Sequence, residues 1–496
     1  MIHIYLSKDE FEYDIHSLVK AFFPQEPIKI IKKDNGSNHT DIEVNESNKY
    51  EEPGNLGIHI ELDETAIRIY ALQNQEELYS GMNKGPLGKN QLKRALYECL
   101  SDITGKKLPW GTLTGVRPTK IAFERLEHNS SEEEIRTYME EEYLCSGEKV
   151  DISLQVAKRE VTLLREMDYR NGYSIYIGIP FCPSTCLYCS FTSYSLEKSG
   201  NWVKGYLEAL YKEITYAGNC GLNKKLTTVY LGGGTPTTLT ADELDGLLTH
   251  IGAAFDFTYV REYTVEAGRP DSITEEKLKV LKEHGVTRIS INPQTMSQKT
   301  LDLIGRKHTV GQVTEAFKLA RNCGHDNINM DIIIGLPGED KAEVIHTLEE
   351  IDKLKPDSLT VHTLAIKRAA RLNTEKENYL GMVPADAAGM LRLTENYAKA
   401  AGYYPYYLYR QKNMADNLEN IGYARYGKEG LYNILIMEEK QTILALGAGA
   451  LSKFVFHKEN RIERVENVKS LKDYVERIDE MIERKRIFLL ENSQGL

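Results

Sequence analysis

The sequence predicts an α/β protein built on a partial (β/α)6 barrel, with an N-terminal α+β domain before it and a small C-terminal domain after it. Three observations predict this. Six runs rich in Val, Ile, Tyr and Thr, at 173–180, 226–234, 262–268, 286–294, 328–337 and 357–366, alternate with helical patterns such as WVKGYLEALYKEITYAG. Such alternation means parallel strands joined by right-handed crossovers, and six units fall short of the eight that close a full barrel. The pattern also changes before about 165 and after about 380. Finally, IPFCPSTCLYCSF places Cys182, Cys186 and Cys189 directly after the first of the six runs.

The expected domains are 1–165, 166–380 and 381–496, the last covering the barrel mouth. In the first, IHIYL at 2–6 and IHIELDETAIRIYAL at 58–72 alternate as half-buried strands do. The polar stretch between them, 32–55, reads as a loop or exposed hairpin. GKNQLKRALYECL at 88–100 has helical spacing, and LPWGTLTGVRPTK at 108–120 reads as a structured loop followed by helix. A helical run ending near 170 leads into the barrel. After 380 come a tyrosine-rich segment at 402–427, an apolar glycine-spaced run at 443–456 and a closing helix.

Composition limits the function classes. The chain has 496 residues, 41% hydrophobic and 27% charged, with a formal net charge of −11. That balance suits large apolar cores and argues against nucleic acid as the main partner, since phosphate binding wants a basic surface. MIHIYLSKDEFEYD lacks the basic start and apolar core of a secretory signal, and no stretch nears ~18 apolar residues, so no membrane span is expected. Seven cysteines, an odd number, point to a reduced, cytoplasmic protein.

The cysteine triplet carries the chemistry. Structural zinc wants four ligands, usually as two pairs, and no second pair or nearby histidine exists here. Cys99, Cys145, Cys220 and Cys323 are scattered singly and read as small buried hydrophobes. A [4Fe–4S] cluster fits better. It normally takes four thiolates, so three leave one iron open to bind something, at the end of a first barrel strand where such folds keep their chemistry.

C-x3-C-x-aromatic-C at this place resembles the radical S-adenosylmethionine (radical SAM) superfamily. The resemblance implies a radical SAM barrel whose open iron is chelated by SAM, the cleavage of which gives a 5′-deoxyadenosyl radical. Further motifs follow in register with the strands: LGGGTPT, EAGRP and NPQTM at successive strand ends, IGRKHT in a crossover and NMDIIIGLPGE on the fifth strand. Together with IPFCPSTCLYCSF they resemble the oxygen-independent coproporphyrinogen III dehydrogenase group. PWGTLTGVRPTK and PYYLYRQKNMADNLENIGYA look like its HemZ-type subgroup. The resemblance implies Cys182, Cys186 and Cys189 as cluster ligands. It implies Tyr176, Tyr188, Gly233, Gly234, Thr235, Glu266, Gln294, Arg306, Asp331 and Ala365 as SAM contacts.

The implied activity is oxidative decarboxylation of two propionates of coproporphyrinogen III to vinyl groups, giving protoporphyrinogen IX in heme biosynthesis. The implied partners are a porphyrinogen or heme-like substrate and an electron donor. Two alternatives stand beside it: a heme-binding chaperone of the same family, and a radical SAM enzyme acting on heme by methyl transfer. Two positions depart from the family pattern. Gly178 stands where many relatives have His, and Phe191 where well-studied dehydrogenases have a fourth cysteine. Arg117, Lys120, Arg410 and Arg425 are candidates for propionates, because Arg suits planar carboxylates. The tyrosines at 403–409 are candidates for facing a flat macrocycle, with core packing as the competing role.

Overall fold

The computed structural model describes residues 1–24, 26–32, 54–85, 88–189, 193–365, 371–374, 386–411 and 418–492. Most of the polar stretch at 32–55 lies outside them, as do Phe191 and residues 412–417 of the tyrosine-rich segment. The chain divides into two compact units, 1–154 with 410–418 and 155–409 with 419–496.

The first unit holds β1 (Ile2–Leu6), α1 (Glu12–Phe22), β2 (Ile28–Lys32), β3 (Leu56–Leu62), β4 (Ala66–Gln73), β5 (Glu76–Lys84), α2 (Lys89–Thr104), α3 (Lys120–Glu127) and α4 (Glu132–Tyr143). The sheet order is β2-β1-β3-β4-β5, with β1 parallel to both neighbours and β3, β4 and β5 forming an antiparallel meander. The period-2 alternation of IHIYL sends Ile2, Ile4 and Leu6 to one face, where they join Ile58, Ile60, Ile67 and Ile69. Ile15, Leu18, Val19 and Phe22 share one stripe of α1 and pack into the same core. The run 58–72 is a hairpin because Asp63 Oδ1 accepts the backbone N–H groups of Thr65 and Ala66, both at 2.7 Å. In the 108–120 loop, Arg410 Nη1 donates to Leu113 O and Arg410 N to Val116 O, both at 2.7 Å. The two segments that carry the subgroup resemblance therefore meet here.

α5 (Gly147–Glu166) leads into β6 (Gly172–Ile179), followed by the short β7 (Phe181–Cys182) and β8 (Tyr194–Ser195), then α6 (Leu196–Ser199) and α7 (Val203–Gly218). The rhythm continues through β9 (Lys225–Gly233), α8 (Ala241–Ala254), β10 (Glu262–Gly268), α9 (Glu275–Glu283), β11 (Arg288–Ile291), α10 (Gln298–Leu303), α11 (Val310–Asn322), β12 (Ile328–Ile334), α12 (Lys341–Leu354) and β13 (Ser358–Thr363). Last come α13 (Arg371–Thr374), α14 (Ala387–Ala400), β14 (Tyr404–Tyr409), β15 (Asn420–Ala424), α15 (Leu431–Glu438), β16 (Thr442–Leu446), β17 (Leu451–Phe456), β18 (Arg461–Glu466), α16 (Leu471–Glu476) and α17 (Ile478–Glu491).

The six expected strands are β6, β9, β10, β11, β12 and β13. They lie side by side in chain order and are parallel throughout. Residues after 380 extend the same sheet at both edges. β15 and β14 add antiparallel strands beyond β13, while β16 pairs parallel with β6 and continues into β17 and β18.

The parallel strands do not read as uniformly apolar. Ile175, Ile177, Val229, Leu231, Val265, Ile289, Met330 and Leu359 are buried on one face. The alternate positions, Tyr176, Tyr230, Glu266, Ser290, Asp331 and His362, give the other face a polar lining. At its N-terminal end this lining is closed by α15, whose Leu431 and Tyr432 N–H groups donate to the Glu262 carboxylate at 2.5 and 3.1 Å. A carboxylate there satisfies two of the unpaired donors at a helix start.

Candidate active site

The cysteine loop leaves β6 at Pro180 and is fixed at several points. Tyr194 N donates to Pro180 O at 2.7 Å, and β7 and β8 form a short parallel ladder. Between Cys186 and Tyr188, Leu187 enters a small core with Leu301, Ile304, Ile333, Leu336, Leu364 and Leu372. Its N–H donates to Ile304 O at 3.0 Å and its carbonyl accepts from Leu372 N at 2.9 Å. Cys189 N closes the turn onto Cys186 O at 3.2 Å.

None of the seven cysteines is in a disulfide. Thr235 Oγ1 lies 3.6 Å from Cys182 Sγ. Burial pushes the Cys182 thiol up to about 11, and the nearby Cys189 and Cys186 add to the rise, against Thr235 and Arg269. Cys182 thus feels the other two sulfurs, and a bound cation would reverse this balance in favour of the thiolate.

LGGGTPT wraps the start of this loop. Gly234 N donates to Ile179 O at 2.8 Å and Thr235 N to Phe181 O at 2.7 Å. A Cβ on Gly234 would stand 2.5 Å from Phe181 O, so only glycine lets the two backbones lie this close. Gly233 has φ +103 and a Cβ there would meet the Tyr176 hydroxyl at 3.0 Å.

Next to these glycines is a carboxylate pair with opposite tendencies. Tyr230 OH donates to Glu266 Oε1 at 2.5 Å. Burial lifts the Glu266 carboxyl to about 7 and the Asp331 charge adds to it, against hydrogen bonds from Tyr230 and the Gly233 N–H. Burial also raises Asp331, but bonding from His362, Asn329 and Thr360 outweighs it, so Asp331 titrates below its usual range. Asn329 Nδ2 donates to Asp331 Oδ1 at 2.6 Å, and His362 Nε2 lies 3.9 Å from Oδ2. Near neutral pH the site thus offers one carboxyl that can hold a proton and one that stays ionised. Tyr230 stacks on Tyr432 at 4.5 Å and on Tyr176 at 6.2 Å, forming the floor beneath Glu266.

Gln294 sits at φ 69, a left-handed conformation unusual for a non-glycine residue. Its backbone is pinned between Asp331 O and Ile333 N at 2.9 and 2.8 Å. Glu339 of GLPGE accepts the Thr295 hydroxyl of NPQTM at 2.5 Å and so ties these two motifs together. Arg306 Nη1 donates to Tyr188 OH at 3.1 Å, which joins the crossover to the cysteine loop. Ala365 follows β13, next to Leu364, whose N–H donates to Ile334 O at 3.0 Å.

The structure thus joins Tyr176, Gly233, Glu266 and Asp331 in one polar group. It joins Thr235 to Cys182, Tyr188 to Arg306, and Gln294 to the Asp331 backbone. Arg425 is placed elsewhere: its N–H bonds Asp357 O at the N-terminal end of β13, and its guanidinium lies over Tyr403. Tyr403, Tyr406 and Tyr407 are buried in the core. Lys120 pairs with Glu124 at 3.3 Å within its own helix. Sequence reasoning missed Tyr230, His362, Ser290 and Asn292, because they lie on β9, β13 and β11 (Asn292 just after it) and share the face of Glu266 and Asp331 only through the register of those strands against β10 and β12.

The residues fit a cluster and SAM. Among the described residues, no three His, Cys, Asp or Glu side chains converge as ligands of one ion do. A cubane asks instead for one thiolate per iron, at separate corners. Buried polar atoms without protein partners ring the site: Ser290 Oγ, Asn292 Oδ1, Gln294 Oε1 and Arg306 Nε. Buried atoms of this kind are rare unless something else binds them.

Comparisons with known proteins give the family. The model of the radical SAM superfamily matches residues 176–351. The oxygen-independent coproporphyrinogen-III oxidase-like protein HemZ of Bacillus subtilis is 43% identical over 406 residues, 81% of each chain. The heme chaperone HemW of the same organism is 31% identical over 310 residues, covering 62% of this chain and 76% of its own. The solved structure of coproporphyrinogen III oxidase (HemN) from Escherichia coli, a radical SAM enzyme, superposes with a TM-score of 0.52 at 23% identity, over 63% of this chain and 70% of that one. From the cysteine loop, the strand-end motifs and a likeness that extends well beyond the barrel, the chain belongs to the radical SAM superfamily, in the HemZ-type subgroup of the oxygen-independent coproporphyrinogen III dehydrogenase group.

Proposed function

We propose that the protein decarboxylates two propionates of coproporphyrinogen III to vinyl groups, without oxygen, as a step of heme biosynthesis. The observation that carries this reading is the 43% identity to the oxidase-like HemZ over 406 residues, 81% of both chains, far more than the barrel alone. Cys182, Cys186 and Cys189 would hold the [4Fe–4S] cluster. Tyr176, Tyr188, Gly233, Gly234, Thr235, Glu266, Gln294, Arg306, Asp331 and Ala365 would face SAM. When bound, the cluster and SAM supply one-electron cleavage and the group that removes hydrogen from the propionate β-carbon.

The chain's own residues do the rest. Asp331, held ionised, is an acceptor for hydroxyl or ammonium donors. Glu266 can accept as the carboxylate or donate as the acid at the same atom. The unpartnered Gln294 Oε1 and Arg306 Nε supply one acceptor and one donor at fixed positions. The buried Tyr432 beneath Tyr176 and Tyr230 excludes water from below, which protects a reactive species.

The test is an anaerobic assay of reconstituted protein with coproporphyrinogen III, SAM and a reductant. Protoporphyrinogen and 5′-deoxyadenosine should form together, near two deoxyadenosines per macrocycle. Tight heme binding with SAM cleaved and coproporphyrinogen untouched would replace this reading by the heme chaperone.

A further inference from the structure

The central residue of the three between Cys182 and Cys186 is held by a side chain that follows β10. β10 shifts register against β11 between Glu266 and Gly268. The irregularity is held in place: Gly268 has φ +64, and Thr237 Oγ1 donates to Ala267 O at 2.6 Å. Glu266 can then join the polar lining while Arg269 reaches the cysteine loop.

Arg269 is 3% exposed. Its Nε and Nη2 fork onto the two oxygens of Asp271 at 3.0 and 2.6 Å. The remaining Nη1 donates to both Ser184 O at 3.1 Å and Ser184 Oγ at 2.6 Å. Ser184 is the central residue of the C-x3-C spacer, and its Oγ lies 3.4 Å from Gly305 O. A buried guanidinium needs a counter-charge and filled donors, and Asp271 supplies the charge while leaving one nitrogen aimed at the loop.

We propose that Arg269, oriented by Asp271, is a positioning residue that shapes the C-x3-C loop to receive the cluster. Its charge also holds the Cys182 thiol down somewhat, but its hydrogen bonds to the loop go to Ser184. Pinning both the carbonyl and the hydroxyl of the central spacer residue removes loop conformations in which Cys182 and Cys186 point apart. The ordering cost of cluster binding falls accordingly. This inference rests on the assignment of the cluster to the three cysteines and not on the macrocycle processed.

The experiment compares wild type, Arg269→Gln, Arg269→Lys and Cys182→Ala after anaerobic reconstitution. It measures iron and sulfide per chain, loss of iron to a chelator, and the alkylation rate of the apo-protein thiols. Wild type should carry about four irons. Arg269→Gln should hold iron about 10-fold less tightly, with faster alkylation of Cys186. Arg269→Lys should resemble the Gln variant, because an ammonium keeps the charge but loses the fork. Wild-type retention and alkylation in Arg269→Gln, or full rescue by Lys, would overturn the proposal. Should Arg269→Gln fail to fold by circular dichroism, Asp271→Asn carries the test. It keeps the guanidinium and loosens its hold, so a smaller loss in the same direction is expected, and wild-type retention overturns the idea. If Cys182→Ala holds iron as wild type does, the cysteine assignment itself has failed.

Discussion

The two ends of one parallel sheet are built from the same strands and do opposite things. At the N-terminal end, polar side chains bind one another. Glu262 takes two N–H groups of α15, Arg288 Nη2 donates to Ser358 Oγ at 2.9 Å, and Gln441 Nε2 donates to Ser174 Oγ at 2.9 Å and Thr227 Oγ1 at 2.6 Å. A few residues further along, Ser290, Asn292 and Gln294 keep atoms with no protein partner, and the carboxyls of Glu266 and Asp331 are shifted in opposite directions. The first end spends most of its polar groups on the fold, although Arg288 Nε and Gln441 Oε1 also have no protein partner. The second holds its polar groups ready for something outside the chain, as expected of the C-terminal face of parallel α/β barrels.

The largest expected effect is at the cysteine loop. Cys182→Ala should abolish iron loading and 5′-deoxyadenosine formation, whereas Cys99→Ala, deep in the N-terminal core, should leave both unchanged. Loss of SAM cleavage in both would mean that these assays report folding alone.

The sharpest comparison is Glu266→Gln against Glu262→Gln, two changes four residues apart on one strand. Glu262→Gln should lower stability by about 1–3 kcal/mol, because two helix N–H groups lose their charged acceptor. At pH 5, where the raised Glu266 carboxyl holds its proton, Glu266→Gln should leave unfolding nearly unchanged, and it should weaken SAM binding roughly 10-fold, an effect of about 1.4 kcal/mol. Denaturant titration and equilibrium binding distinguish them, and equal losses of stability would erase the division between the two ends.

A smaller effect separates the two carboxylates of the open end. The Glu266 carboxyl lies at about 7 in the folded chain against a reference of 4.5. A raised carboxyl contributes stability that is present below about 4.5 and is lost as pH rises through about 7. The apo protein should therefore lose stability relative to Glu266→Gln between pH 5 and 8. Asp331, shifted down, acts the other way, and its contribution is lost only as pH falls below the ordinary carboxylate range. Unfolding titrations at pH 5 and 8 check the sign, and a constant difference between wild type and Glu266→Gln would show that Glu266 is ionised throughout.

Gly178→His should have the least effect on the fold. A Cβ there meets Leu446 O and Tyr176 Cε1 only at 3.5 Å, ordinary contact distances. Iron loading should be unchanged, and any loss should appear in macrocycle binding. A gain in decarboxylation would instead mark the glycine as a lost catalytic group.

Much of this contrast was legible in the residues. The six strands follow from β-branched runs alternating with helical patterns, and the cysteine spacing singles out the strand end that matters. Other parts were hidden for physical reasons. β5, EELYSGMNK, is largely exposed and has no apolar alternation to read. β16 looks like any apolar run, and only the three-dimensional fold shows that it pairs parallel with β6, some 270 residues earlier in the chain. Arg269 was unreadable as a partner of the cysteine loop, because its reach depends on a register shift that a sequence does not display.

Leu187 bears on how the protein would age. Its side chain anchors the Cys186–Cys189 turn in a hydrophobic core of seven buried residues, independently of any metal. In small zinc modules the metal is the fold, and losing it unfolds the chain. Here the turn has its own reason to stay folded. An iron–sulfur centre lost to oxygen should leave behind an intact socket, and the same molecule should be open to repair by reloading rather than lost to proteolysis.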